Sequence, residues 1–402
     1  MKIFEKTERI YNTKWQFSFI ILFSVMTIFF LCELKNNRFH MSDFHVYYKA
    51  ATRIVHGETL FRPVEDGFYH FKYSPTSAIF FLPFSLMPYS LAKITYWFFL
   101  SILICAGFFL GLKMLEPDFM ARDYHRKTNN LVLLSSLIVS VHFFRELELG
   151  QVNHVLLVLY ISGLFLFVNK KNMFHGTIWS ASLFFKPFGL IFLPWLGLMK
   201  KWRTIAVFLA GAIIWGLLPA IFYGLNGLRE QYAGWFTEMS IELANKQSLL
   251  SPGNHTIFSI IARFTPLRFT PIITTYSHVY QAVIMLIMAG IFWIMYKKRN
   301  NVEKPFLLEG AFLINLIPLL AFTSHNAFGF VELSVMIILF YFNKLSLPLK
   351  ITAISGMVLS GGNIYEIMGR KLWSIINSLS FVGIGAMLLL VVLFCMRNKK
   401  IC

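Results

Sequence analysis

Charged residues are scarce in this chain of 402 residues, where Asp, Glu, Lys and Arg together make up 14%. A soluble domain carries about a quarter, so the composition excludes a water-soluble globule. Cysteine is scarce as well, and its four residues include no close pair, which excludes a disulfide framework and a zinc site. The sequence has no glycine-rich nucleotide-binding loop and no GxSxG motif, so nucleotide-driven and serine-hydrolase activities have no support.

Apolar residues are abundant instead. The hydrophobic set reaches 57%, with 44 Phe, 16 Tyr and 9 Trp, and the mean hydropathy is +0.62. This much apolar surface also excludes a disordered chain. The composition predicts an all-α polytopic membrane protein of about 12 transmembrane helices, each of about 20 residues. We expect these helices to form a single integral membrane domain over residues 1–402.

The net charge of +18 is spread over short basic clusters between apolar runs. This pattern is typical of the positive-inside rule, whereas nucleic-acid binding needs a basic soluble face. One alternation of spans brings the basic clusters to one side, which predicts a multi-pass protein of the cell inner (plasma) membrane with both termini in the cytoplasm. Two long segments, residues 35–90 and 224–270, then lie on the outer face.

The first outer segment contains a predicted amphipathic helix. Ser42 is a suitable N-cap, Asp43 lies in the first turn, and the helix should end near Val55 before Gly57. Its apolar and aromatic residues suit a helix on the membrane surface, as does the proline-containing stretch 74–89. Asp43 would lie at the water–lipid boundary. There it either only stabilises the N-terminus of the helix through the helix dipole or acts as a functional acid.

A second acidic segment reads RELELGQVN, residues 145–153. Glu146 and Glu148 are two positions apart, so on a helix they should point in different directions. Gln151 and Asn153 open the next helix and face the same compartment. Ionisable and amide groups at membrane depth are candidates for a functional site, and helix capping is the alternative.

Lys186 is the single charge in the apolar run 174–199, which is too long for one span and too short for two. We therefore expect two short helices that meet near Lys186 and Pro187 and line a cavity. An ammonium group there needs an anion, a carbonyl group or water. Its partner is either an outer carboxylate such as Glu148 or the phosphate of a lipid ligand.

Two later segments bring further polar residues to the membrane boundary. The segment GNHTIFSIIARF contains Asn254 and Arg263, and TSHNAFGF contains His325. The 11 histidines show no HExxH or similar metal-binding spacing, so neither a metal nor a cofactor is expected.

Five segments, in this order, resemble glycosyltransferase family 87, whose members are polytopic type C transferases and include polyprenyl-phosphate-mannose-dependent α-mannosyltransferases. These segments are DFHVYYKAATRIVHGETLF, YSPTSAIFFLPFSLMP, GQVNHVLLVL, SLFFKPFGLIFLPWL and GNHTIFSIIARF. They extend over roughly residues 40–265. One segment departs from the family, which commonly shows a Ser-Pro…Trp…His pattern where this chain reads TSHNAFGF.

The resemblance implies transfer of a hexose, with mannose favoured, from a polyprenyl-phosphate sugar to a lipid or glycan acceptor at the outer face. It implies an inverting displacement with Asp43 as general base, and it makes Lys186 and Arg263 candidates for binding the donor phosphate. The partners would be the donor, the acceptor and membrane lipids, without nucleic acid. The candidates for contacting sugar or acceptor are Tyr47, Tyr73, Glu148, Gln151, Asn153, Asn254 and His325.

Two alternatives remain open at the level of sequence. A lipid or glycan flippase or transporter would also have many spans, but such proteins often contain two matching halves with broken helices in corresponding positions. This chain shows one such break, at Lys186 and Pro187. The other alternative is a non-catalytic subunit in envelope assembly, which the altered TSHNAFGF segment favours.

Overall fold

The computed structural model describes residues 14–117, 125–169, 174–244, 248–298, 304–322 and 324–398. Within these ranges the chain forms helices and loops and contains no strand, which confirms the all-α class. The basic residues at positions 1–13, 170–171 and 399–400, which the predicted topology uses, lie outside the described ranges.

The α-helices are numbered here in chain order. They are α1 (Phe17–Lys35), α2 (Ser42–Val55), α3 (Pro63–Asp66), α4 (Pro75–Phe80), α5 (Leu82–Ser85), α6 (Tyr89–Leu115), α7 (His125–Leu149), α8 (Asn153–Val168), α9 (Phe174–Ser182), α10 (Phe192–Leu198), α11 (Trp202–Leu217), α12 (Ala220–Ala244), α13 (Ile257–Phe264), α14 (Pro271–Thr274), α15 (Ser277–Lys297), α16 (Pro305–Leu320), α17 (Glu332–Phe340), α18 (Leu347–Gly361), α19 (Tyr365–Ser378) and α20 (Phe381–Asn398). Segments of 3₁₀-helix lie at Lys14–Gln16, Gly67–Tyr69, Pro187–Ile191, Pro266–Phe269, His325–Val331 and Phe342–Lys344.

Four helices in the described residues are long and apolar enough to cross a membrane: α1, α6, α7 from Lys127 onward, and α15. Two bent pairs, α11 with α12 at 93° and α19 with α20 at 57°, raise the number of candidate spans to 6. The predicted number of about 12 is not confirmed. Several predicted spans correspond to apolar helices of 10–17 residues, which are shorter than the roughly 20 residues that a 30 Å hydrocarbon layer requires.

The described residues form two compact units. The N-terminal unit comprises described residues within 23–107 and 144–246, and the C-terminal unit comprises the others. Trp97, Trp179 and Trp195 are fully buried in the N-terminal unit. In the C-terminal unit, Arg397 and Glu309 form a buried ion pair at 3.0 Å. A single membrane domain, and the outer location of segments 35–90 and 224–270, stay predictions.

Helix α2 has the predicted bounds but not the predicted cap. Its N-cap is Met41, which is buried and has a φ of 48°, and no side chain caps the first turn. Ser42 is already helical, so its interpretation as the N-cap is wrong. Gly57, with a φ of 65°, follows the end of the helix as expected. The apolar face packs within the protein rather than on lipid, through Phe44, Tyr47, Ala50, Ala51 and Ile54.

The predicted break at Lys186 is present. Helix α9 ends at Ser182, Lys186 is extended at φ −144° and ψ 132°, and a 3₁₀ segment begins at Pro187. An extended residue before proline is the usual consequence of the proline ring. The carbonyl of Phe184, exposed by the break, accepts bonds from the amide of Ser74 at 3.2 Å and from its hydroxyl at 2.8 Å. The stretch 74–89 therefore packs in part against the break, and it contains the two short helices α4 and α5.

The close packing of α20 on α18 gives a stability prediction. A methyl group on Gly385 would lie 2.4 Å from the amide nitrogen of Ser360 and 2.8 Å from the carbonyl oxygen of Gly356. These are backbone atoms of a packed helix and cannot retract locally. We expect Gly385→Ala to lower the free energy of unfolding by about 1–3 kcal/mol, measured by thermal unfolding in detergent.

Gly290 in α15 is the matched control. A methyl group there meets no atom within 4 Å. Because alanine favours a helix over glycine, Gly290→Ala should be neutral or stabilise the protein by up to about 1 kcal/mol. Equal melting temperatures for the two variants would contradict the packing of α18 against α20.

Candidate active site

Asp43 is the acid around which the candidate site is built. It lies in the first turn of α2 and is partly buried. Burial raises its pKa above the ordinary value. The side-chain hydrogen bond with Gln151 opposes this shift, as do the positive charges of Lys186, Arg145 and Lys72. A buried carboxylate with a raised pKa and specific partners is typical of a catalytic base.

A relay of hydrogen bonds connects Lys186 with this acid. Lys186 Nζ donates to Asn153 Oδ1 at 2.7 Å, and Asn153 Nδ2 donates to Gln151 Oε1 at 2.9 Å. Because the Gln151 oxygen is occupied as an acceptor, its amide nitrogen is the group that can donate to the Asp43 carboxylate. The charge on Lys186 thus sets the orientation of both amides.

Glu146 is the buried carboxylate of the relay. Its Oε2 accepts from Asn153 Nδ2 at 3.1 Å and its Oε1 from the backbone amide of His154 at 3.1 Å. Glu146 and Asp43 are the two carboxylates whose charge acts on Lys186. The sequence singles out Glu146 and Lys186 separately as polar groups among apolar helices but does not reveal that Asn153 joins them.

Glu148 has a different position from Glu146, as their spacing predicts. It lies at the surface and accepts from Arg145 Nη1 at 2.6 Å, whereas Glu146 is fully buried. Of the two alternatives for Lys186, the one that names Glu148 as its partner is not found, because Lys186 donates to Asn153 and Glu148 accepts from Arg145. Gly150, with a φ of 70°, separates α7 from α8, and a methyl group there would lie 2.8 Å from Phe44 Cβ. This glycine lets α2 approach the turn that contains Gln151.

Two tyrosines lie beside the acid. The hydroxyls of Tyr47 and Tyr73 are 3.3 Å apart. Burial, reinforced by the negative charge of Asp43, raises the pKa of both phenols, so both stay protonated at neutral pH and can donate hydrogen bonds. Tyr96, which the sequence does not single out, donates from its hydroxyl to the carbonyl oxygen of Gln151 at 3.2 Å. Lys72, whose positive charge acts on Asp43, is likewise not among the site residues predicted from the sequence.

Arg263 and Asn254 lie together in the C-terminal unit. The guanidinium group of Arg263 donates to the carbonyl oxygen of Ser378 at 2.7 Å and to that of Asn254 at 3.2 Å, and it also contacts the Ser380 hydroxyl. Asn254 Oδ1 accepts from the amide and hydroxyl of Thr256, at 3.2 and 2.7 Å. These bonds hold the loops around α13 and α19.

His325 belongs to a histidine cluster of the same unit. Its Nε2 lies 3.0 Å from Asn363 Nδ2, and its ring centroid is 5.6 Å from that of His142 and 5.7 Å from that of His255. Burial, together with the charge of Arg263, lowers the pKa of His255 to about 4. In the part of the chain that the structure describes, no group of three His, Cys, Asp or Glu residues is arranged to hold a metal ion.

Comparison with known proteins assigns the family. The model of glycosyltransferase family 87 matches residues 71–324, which is more than half of the chain. The matched range contains Tyr73, Gln151 and Lys186, whereas Asp43 precedes it and His325 follows its end. No curated protein and no solved structure matches the chain significantly. With its four to six candidate spans, the chain belongs to glycosyltransferase family 87 and is a multi-pass membrane enzyme that transfers glycosyl groups.

Proposed function

We propose that the protein transfers a hexose, mannose in the first place, from a polyprenyl-phosphate sugar to a lipid or glycan acceptor at the outer face of the inner (plasma) membrane. One observation carries this proposal: within the N-terminal unit, Gln151 and Asn153 link the acid Asp43 to the cation Lys186. An inverting transfer needs both groups, a base for the acceptor and a positive charge for the leaving phosphate. The family resemblance supports the lipid donor.

Asp43 acts in this mechanism as the general base. Its carboxylate takes the proton of the acceptor hydroxyl while that oxygen attacks the anomeric carbon of the sugar. The bond between the anomeric carbon and the phosphate oxygen breaks, and the electron pair leaves with the lipid phosphate. Lys186 stabilises the negative charge that develops there, and the donation from Gln151 holds one carboxylate oxygen so that the other faces the acceptor.

The tyrosine hydroxyls of Tyr47 and Tyr73 and the amides of Gln151 and Asn153 are the proposed contacts to sugar and acceptor. Glu148, Asn254 and His325 are not among these proposed contacts. Glu148 is held by Arg145 at the surface, and Asn254 and His325 form hydrogen bonds within the C-terminal unit. We assign the donor phosphate to Lys186 rather than to Arg263, whose Nη1 and Nη2 donate to backbone and hydroxyl oxygens.

The stereochemistry of the product tests this mechanism. Direct attack of the acceptor on the anomeric carbon exchanges the two faces of that carbon. We expect NMR of the isolated product to show the anomeric configuration opposite to that of the polyprenyl-phosphate sugar supplied. Retention of configuration would contradict single displacement with Asp43 as base.

The raised pKa of Asp43 predicts the acid limb of the pH–rate profile. The base works only when deprotonated, so kcat/KM should fall as the pH drops through the pKa of Asp43. Because burial raises that pKa, the fall should begin above the range of an ordinary aspartate, whose pKa is about 3.9. Gln151→Leu removes the strongest group that lowers the pKa, so the limb should move to higher pH. An unmoved limb would contradict the contact between Gln151 and Asp43.

A further inference from the structure

A cavity of about 1150 Å³ lies within the C-terminal unit and contains none of the residues assigned to transfer. Residues of α7 and α18 form two of its walls, and the ends of α6 and α17 close it at one end. It is larger than the roughly 300–1,000 Å³ typical of pockets for small ligands. A ligand that fills it is therefore large.

The cavity is a cleft between α7 and α18, which contact each other near Ile138 and Gly361. A methyl group on Gly361 would lie 1.8 Å from the carbonyl oxygen of Ile138, and His142 Nε2 is 2.9 Å from the carbonyl oxygen of Ser360. The lining residues of α7 extend from this contact back to Lys127. From Lys127 to Ile138 the helix rises by about 16 Å, which is close to half of the roughly 30 Å hydrocarbon layer. The cleft is one leaflet deep.

Positive charge collects at the end of the cleft opposite the helix contact. Lys127, Lys304 and Lys344 line this end, with Glu116 as the opposing acid. Lys304 Nζ donates to the carbonyl oxygens of Met114, at 3.1 Å, and Leu115, so it closes the end of α6. Lys127 and Lys344 are exposed and can reach a ligand.

Apolar side chains line the rest of the cleft and remain exposed there. The exposed fractions are 48% for Leu134 and 69% for Leu137 on α7, and 51% for Ile354 and 61% for Val358 on α18. Apolar walls one leaflet deep that end in lysines match a lipid with an anionic headgroup. Basic pockets between membrane helices recognise such headgroups.

We propose that this cleft binds one anionic phospholipid. The phosphate lies between Lys127 and Lys344, and the acyl chains extend along Leu134, Leu137, Ile354 and Val358 toward the contact of Ile138 with Gly361. The lipid comes from the leaflet on the side of these lysines and fills the space between α7 and α18. It is distinct from the sugar donor, whose phosphate we assign to Lys186.

Lipid titration in detergent followed by native mass spectrometry tests the proposal. Phosphatidylglycerol and phosphatidylcholine with the same acyl chains are the two probes. We expect one phosphatidylglycerol to bind wild-type protein at least tenfold more tightly than phosphatidylcholine. The double variant Lys127→Gln with Lys344→Gln should bind phosphatidylglycerol about thirtyfold more weakly, since each basic residue near the headgroup contributes several-fold. Its affinity for phosphatidylcholine should fall much less, because the choline cation offsets the charge of that phosphate.

Two further variants separate headgroup from chains. Lys200→Gln with Lys201→Gln alters two exposed lysines of the N-terminal unit and should leave both affinities unchanged. Val358→Trp should weaken both lipids while the lysines stay in place. Equal affinity of wild-type protein for the two lipids, an equal loss in the control variant, or displacement of phosphatidylglycerol by equimolar polyprenyl phosphate would overturn the proposal. Displacement by glycerol phosphate would do so as well, because this probe has no acyl chains.

Discussion

Asp43→Asn should reduce glycosyl transfer by about 10²–10⁴ without reducing stability. The rate falls because an amide cannot take the acceptor proton. Stability is kept because burial raises the pKa of Asp43, which means that the folded protein disfavours the ionised form. At neutral pH a neutral amide of the same shape removes this penalty and can still accept from Gln151. The measurements are the rate of transfer and the melting temperature of purified protein.

Asp66→Asn is the matched control, and its expected effects are the opposite ones: it should lower stability and leave transfer unchanged. Asp66 lies in the same segment of the chain, residues 35–90, and accepts two bonds from the guanidinium of Arg53, at 2.5 and 2.6 Å. This hydrogen bonding lowers the pKa of Asp66, so its carboxylate stabilises the fold above the ordinary aspartate pKa and loses this effect as the pH falls. Asp66→Asn should cost about 1–3 kcal/mol and leave transfer intact. If both variants lost transfer equally, Asp43 would not be the base.

Lys186→Gln should lower kcat by about 10²–10³, the range found when one group that stabilises developing negative charge is removed. The loss should appear in kcat more than in the KM for the donor, because the charge on the phosphate grows toward the transition state. Lys186→Arg keeps the charge and a donor for Asn153 and should retain more activity than Lys186→Gln.

Lys49→Gln serves as the control for this second prediction. Lys49 is exposed on α2, six residues after Asp43, and Lys49→Gln should show wild-type kinetics. The assignment of Lys186 would fail if Lys186→Gln changed only the KM for the acceptor. It would also fail if Lys186→Arg and Lys186→Gln lost activity to the same extent while both stayed folded.

Local signals in the sequence predict much of the structure around the site. The pattern of apolar residues between Ser42 and Gly57 is enough to place α2, and the single charge beside Pro187 is enough to place the break at Lys186. Both follow from short-range rules of backbone geometry and burial. The cap at Met41 is not predictable in this way, because a methionine rarely adopts a left-handed backbone conformation. Met41 adopts it where it is fully buried.

The number of spans and the partners in the site depend on tertiary packing. Hydropathy alone does not distinguish a full crossing from a short buried helix, which is why helices such as Pro305–Leu320 enter the predicted count. The choice of Glu146 over Glu148 as the buried acid depends on how α7 is rotated. Asp43 lies before the range that the family model matches, and its partners Gln151 and Lys186 lie within it. The hydrogen bond with Gln151 and the charge of Lys186 connect Asp43 to the part of the chain that the family model matches.

The most direct test of the central claim is the choice of donor. Purified protein in detergent, with host lipids as acceptors, is offered radiolabelled sugar either on polyprenyl phosphate or on a nucleotide. We predict that label passes to a lipid or glycan from the polyprenyl-phosphate donor only, and that Asp43→Asn stops this transfer. Transfer from the nucleotide sugar would contradict the account, as would no transfer from polyprenyl-phosphate mannose, glucose, galactose or arabinose.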